Sequence, residues 1–147
     1  MFEKYDIKEI RILVTSSELE FETEDAIREF LEYTLPKEHE GQYWYRERGI
    51  DVNNKDILVL FWYKNKAVGC GILYDRTKFK EKDEVYSGIM HFYPETIFNI
   101  SEISEEEIHN FSDMPKQVLQ GFPKIDINSL EDILNLIYEK WRDYPDN

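Results

Sequence analysis

Cysteine is nearly missing from this chain of 147 residues, and the single Cys70 excludes an internal disulfide and any cysteine cluster for zinc. Set between Gly69 and Gly71 on an apolar run, with no basic neighbour in sequence to lower its pKa, Cys70 reads as a small core residue and not a nucleophile. Histidine is also scarce. His39, His91 and His109 never stand four residues apart, the spacing that puts two ligands on one helical face, so no metal site is expected. No stretch approaches the roughly 18 to 20 apolar residues of a membrane span, and Met1-Phe2-Glu3-Lys4-Tyr5-Asp6 lacks the apolar run of a signal peptide. The expectation is a cytoplasmic protein without a membrane partner. Glycine is too sparse to cradle phosphates: Gly69-Cys70-Gly71 lies inside a strand-like run, and Ser16-Ser17 has neither the glycines nor the Lys-Ser or Lys-Thr of a phosphate loop. No cofactor and no catalytic residue is therefore assigned. Positive charge is in deficit, with 18 Lys and Arg against 31 Asp and Glu and a net charge of -13, which argues against gripping nucleic acid through overall electrostatics.

Aromatic residues are abundant. Ten Tyr, nine Phe and three Trp sit in a chain that is 41% hydrophobic, enough for one core and a single domain over residues 1–147. The charge is unevenly spread: from Tyr43 to Glu84 nine basic residues face seven acidic ones, so that segment is mildly positive on an acidic body.

Ile57 to Tyr63 is an unbroken apolar run that suits a strand buried on both faces, and Lys64-Asn65-Lys66 is a polar turn leading into a second run from Ala67 to Leu73. Gly69 and Gly71 alternate, so both face one side, where they leave room for a close backbone approach, a bend or a ligand. Further strands are expected at Ile10–Thr15, Gln42–Arg46, Val85–Phe92 and Thr96–Ile100, with Asp75–Glu84 as a charged loop. A helix capped by Thr23 carries Ala26, Ile27, Phe30 and Leu31 at helical spacing until Pro36 stops it. Ser104-Glu105-Glu106-Glu107 is a capping box, Pro115–Gln120 a short helix closed by Gly121, and Leu130, Ile133, Leu134, Ile137 and Trp141 form the apolar stripe of a last helix capped by Asn128 or Ser129. The class is α+β: a small curled sheet or pseudo-barrel of five to six short strands with flanking helices.

This order of elements resembles the PUA-like superfamily, in particular its EVE-type and ASCH-type branches, over roughly Ile10 to Tyr138. The residues carrying the resemblance are the pair Asp56–Tyr63 and Ala67–Ile72, then Phe92-Tyr93-Pro94-Glu95-Thr96-Ile97-Phe98-Asn99-Ile100 before the acidic helix start. The resemblance implies a compact barrel-like domain that holds RNA, DNA or a modified base in a cleft with aromatic walls. Stacking a base on a ring is worth on the order of 1 to 3 kcal/mol, and the candidate rings are Tyr43, Trp44, Tyr45, Trp62 and Tyr63. Alternation sends Tyr43 and Tyr45 to one face and Trp44 to the other, so either Trp44 or that pair faces the pocket. Arg46, Arg48, Lys64 and Lys66 are the candidate phosphate contacts, with the turn Lys64-Asn65-Lys66 the first place to look for an anion. His91, inside a strand beside Phe92, is either a pocket hydrogen-bonder or a satisfied sheet residue.

Three functional readings follow. The first is a binding module for nucleic acid or a nucleobase-like ligand. The second is an acidic interaction protein that mimics nucleic acid and occupies a basic protein partner, drawing on the negative balance outside Tyr43–Glu84. The third is a small hydrolase, because some ASCH-like relatives use a lysine, a threonine and a glutamate. Here Lys55, Lys64, Lys66, Thr15, Thr23 and Glu20 are available, with no local pattern selecting a trio.

Overall fold

The computed structural model describes residues 1–46, 55–81, 85–111 and 122–145; Arg48 and the expected helix at Pro115–Gln120 with Gly121 lie outside them. In chain order the elements are β1 (Glu9–Val14), α1 (Glu24–Glu29) running on into a π-helical segment (Phe30–Glu38), β2 (Gln42–Tyr45), β3 (Ile57–Tyr63) and β4 (Lys66–Lys78). They are followed by β5 (Gly88–Phe92), β6 (Phe98–Ser104), α2 (Glu105–His109), β7 (Lys124–Ile125) and α3 (Leu130–Asp143). The class is α+β, as expected. Seven strands form one mixed sheet in the order β2-β5-β4-β3-β1-β7, with β6 also paired to β4.

β3 holds the centre. All seven of its residues are buried, because Ile57, Val59, Phe61 and Tyr63 enter the core under the π segment while Leu58, Leu60 and Trp62 enter the opposite core under α3. Each such side chain contributes about 1.5–3 kcal/mol of burial, which is why an unbroken apolar run belongs here. β1 lies parallel to β3, from Glu9 opposite Ile57 to Val14 opposite Trp62, and that parallel pairing requires the long excursion through α1 and β2. β3 and β4 form a hairpin closed at Lys64 and Asn65, whose φ values of 48° and 67° are the pair of left-handed residues a two-residue I′ turn needs.

β4 is longer than its apolar run. Its first part pairs with β6, from Lys66 opposite Ser104, and its tail pairs with β5, from Asp75 opposite His91 to Lys78 opposite Gly88. The charged stretch after Tyr74 is thus strand, not loop, as far as Lys78, because backbone pairing tolerates charges at a solvated sheet corner. Extra residues at Val68 and Tyr74 break the register against β3 and β5, and such bulges curl a sheet. Arg28 locks the first bulge by donating to the carbonyls of Val68 and Ile100.

Two further expectations are corrected. The first helix does not stop at Pro36 but continues to Glu38, with wide π turns such as His39 N–H to the Thr34 carbonyl at 2.8 Å; these avoid the α-type pairing that proline breaks. The fifth and sixth strands begin later than expected, at Gly88 and Phe98, the latter after a 3₁₀ turn over Pro94–Thr96. Thr23 caps α1 by accepting from Ala26 N–H at 3.1 Å, and Ser104 with Glu107 closes the capping box of α2. Ser129 occupies the start of α3 without a capping side-chain bond, while Asp126 accepts from Asn128 N–H at 3.0 Å in the preceding turn. Among the described residues no helix is long and apolar enough to cross a membrane.

Candidate functional site

The cleft of most interest opens at the β2 edge of the sheet, with a volume of about 500 Å³. That size is within the roughly 300–1,000 Å³ of small-molecule sites. Three parts of the chain build it. The loop after β1 supplies Glu20 and Phe21. Ser16 shapes that loop, its Oγ accepting from Leu19 N–H at 2.9 Å and its carbonyl from Phe21 N–H at 3.0 Å. The buried Tyr63 hydroxyl then ties the loop to β3 by donating to the Phe21 carbonyl at 2.8 Å.

The π segment supplies Phe30 and Thr34, and the turn after it His39. Phe30 is packed by rings on two sides, its centroid 5.0 Å from Phe21 and 5.9 Å from Tyr43. Strand β2 and the segment before β5 supply Tyr43, Trp44, Arg46 and Tyr86. Tyr43 is buried and donates from its hydroxyl to Glu20 Oε2 at 2.6 Å. Trp44 is 41% exposed, with Tyr86 nearly perpendicular to it at 5.6 Å and Phe79 at 5.4 Å. Arg46 carries its guanidinium 5.4 Å from the Tyr86 ring centroid. Two rings thus flank Trp44, which remains partly exposed beside them.

Of the residues expected at a site, Tyr43, Trp44 and Arg46 come together here. Strict alternation sends Tyr43 inward and Trp44 outward, yet both line one cleft because β2 is an edge strand and the cleft wraps around that edge. Tyr45 is buried in the core beneath the π segment, and Trp62 is buried in the core on the other face under α3. His91 lies on the outer face of β5, 2.8 Å from Thr77 Oγ1 through Nε2. Lys64 is exposed with its ammonium 5.5 Å from the Tyr63 ring, and Lys66 is ion-paired with Glu24 and, at 2.7 Å, with Glu102. Lys66 is thus neutralised by two carboxylates, and neither lysine lines the cleft. Arg48 falls outside the described residues.

The space left by Gly69 and Gly71 is filled from within. A Cβ on Gly69 would stand 2.5 Å from Leu31 Cδ1, and one on Gly71 would stand 3.2 Å from Phe92 Cδ1 and 3.3 Å from Ile97 Cγ1. Of the three uses considered for this pair, close approach is the one realised. Burial pushes the Cys70 thiol up to about 12, which leaves it without thiolate character. The threonines available for hydrolytic chemistry are committed to structure: Thr15 donates to the Trp62 carbonyl at 2.8 Å and Thr23 caps α1.

Phe30, Tyr86, Phe21 and Glu20 line the cleft although sequence reasoning did not place them there. Phe30 fell on the apolar spacing of a helix, and Tyr86 stood in a stretch expected to be strand. The signal that could have found them is the density of rings flanking β2, which a single edge strand cannot bury. No protein-family model matches the chain, and no curated protein matches it either.

Proposed function

We propose that the protein is a binding module that takes a planar, nucleobase-like ligand into the cleft at the β2 edge. The supporting observation is the convergence of Trp44, Tyr43, Phe30 and Tyr86 around one cavity of about 500 Å³, with Arg46 at its rim. A base enters with a face against Trp44, since every base has a π surface and stacking tolerates sequence. Tyr43 and Glu20 present polar atoms to the edge of the ring, and Arg46 stands where a sugar phosphate emerges. In keeping with the PUA-like resemblance, this ligand is a free or modified base, or one carried by RNA or DNA in the cytoplasm. The acidic body makes affinity depend on local contacts, not on the overall field.

The test is calorimetric titration of the full chain with nucleoside monophosphates and base-modified analogues at low salt. Trp44→Ala should abolish the heat of binding, Trp44→Phe should retain most of it, and Arg46→Ala should weaken monophosphates more than nucleosides. If no base-containing compound binds the native chain, the reading fails.

A further inference from the structure

The wall of the cleft that Glu20 supplies is fixed by the local chain. In Ser16-Ser17-Glu18-Leu19-Glu20-Phe21 the Ser16 carbonyl accepts from Glu20 N–H at 3.2 Å and from Phe21 N–H at 3.0 Å, which folds the loop into one tight turn. The Ser16 hydroxyl accepts from Glu18 N–H at 3.2 Å and Leu19 N–H at 2.9 Å, and the Glu20 side chain bends back so that Oε1 accepts from Ser16 N–H at 3.2 Å. Tyr43 approaches from β2 and donates to Oε2 at 2.6 Å, while the Tyr63 hydroxyl anchors the next residue through the Phe21 carbonyl. One donor on each oxygen therefore orients the carboxylate in the wall of the cavity.

What this wall takes follows from its chemistry. A carboxylate whose two oxygens both accept presents acceptors to a ligand, and each oxygen accommodates up to two bonds. The Tyr43 hydroxyl has its proton on Glu20, so its oxygen also faces a ligand as an acceptor. Arg46, the guanidinium of the cleft, stands instead over the Tyr86 ring, 5.4 Å from its centroid. The Glu20 wall thus favours two adjacent N–H groups and repels a carbonyl oxygen or a bare ring nitrogen. Among the common bases guanine has that edge, N1–H beside the 2-amino group. Adenine and cytosine set one amino group beside a bare ring nitrogen, and uracil and thymine set one N–H between two carbonyls.

We infer that Glu20 makes the cleft selective for guanine, its two oxygens accepting N1–H and the 2-amino group of the base. The inference rests on the proposed function, because it takes the ligand of the β2 cleft to be a base, and it goes further by naming which base and which residue reads it. Selectivity comes from repulsion as much as from attraction: a base that turns a lone pair toward Glu20 loses a hydrogen bond and gains an unfavourable contact.

The experiment is calorimetric titration of the full chain with the monophosphates of guanosine, inosine, N1-methylguanosine, adenosine, cytidine and uridine. Guanosine monophosphate should bind tighter than the adenosine, cytidine and uridine compounds by about tenfold or more, the usual discrimination of a bidentate contact to a base edge. Inosine monophosphate keeps N1–H and lacks the 2-amino group, so it should fall between them. N1-methylguanosine monophosphate keeps guanine's stacking surface but sets a methyl group against the carboxylate, and it should bind no better than adenosine monophosphate. Glu20→Gln replaces an acceptor by a donor at the same side-chain length, so the gap between guanosine and adenosine monophosphates should close to within about threefold. If guanosine and N1-methylguanosine monophosphates bind alike, if another base binds tightest, or if Glu20→Gln leaves the gap intact, the guanine assignment is overturned while the cleft reading stands. If none of the six compounds binds, the cleft reading falls and the assignment with it. Should Glu20→Gln fail to fold, the nucleotide series on the native chain decides alone.

Discussion

Leu31 of the π segment occupies the space that a side chain on Gly69 of β4 would need, with its Cδ1 2.5 Å from where that Cβ would stand. The Phe98 carbonyl is 2.8 Å from the same point, so backbone as well as side chain would have to give. This contact seats the π segment on the sheet, and with it Phe30 and Thr34 in the cleft.

Gly69→Ala should therefore destabilise the fold by about 1–3 kcal/mol, the usual cost of overpacking a filled core. Urea denaturation measures it. An unchanged midpoint would mean that the segment does not bear on β4 at that point.

The Tyr43 hydroxyl joins strand β2 to the loop that carries Glu20. Tyr43→Phe removes that bond and keeps the ring, so stability should fall by about 1–2 kcal/mol. Ligand affinity should fall with it, because Glu20 loses one of the donors that orient it and keeps the Ser16 N–H at 3.2 Å. The two losses are separable by measuring affinity well below the unfolding midpoint.

Lys66 titrates above its ordinary 10.5, through hydrogen bonds to Glu102 and Glu24, and Glu24 titrates below 4.5, chiefly through its hydrogen bond from Lys66. Glu24, with its folded pKa lowered, contributes stability above its unfolded value and loses it as pH falls through the folded one. Lys66, with its folded pKa raised, contributes below its unfolded value and loses that as pH rises through the folded one. The stability difference between the native chain and Lys66→Met should thus be greatest between 4.5 and 10.5 and shrink on both sides. The side chains are 23% and 41% exposed, so solvent screening keeps the plateau below about 1 kcal/mol. Denaturation midpoints across the acid and alkaline limbs check the shape, and a difference that grows toward acid would contradict it.

The centre of the fold was readable because Ile57–Tyr63 is an apolar run of strand length closed by the polar turn at Lys64-Asn65, a pattern that suits a doubly buried strand. The margins were not. β7 is two residues, Lys124 and Ile125, held by pairing to β1 and not by any local preference. The end of β4 was hidden because its charges look like a loop until β5 is beside them. At the site, Trp62 was a reasonable wall on composition, yet its burial depends on α3 covering that face, a long-range fact. Lys66 looked like a free cation because Glu24 and Glu102 are far from it in sequence. Trp44 and Tyr43 were legible as a ring pair on β2, but their meeting at one cleft depends on β2 being an edge strand, which only the sheet order decides.

The most direct measurement is a nuclear magnetic resonance titration that follows the indole N–H signals of the three tryptophans, assigned by substitution. Added nucleoside monophosphate should shift the Trp44 signal in a saturable way while the signal of Trp62, buried under α3, stays in place. A Trp44 signal that does not move at millimolar ligand, or one that moves no more than that of Trp62, would contradict the assignment of the β2 cleft as the binding site.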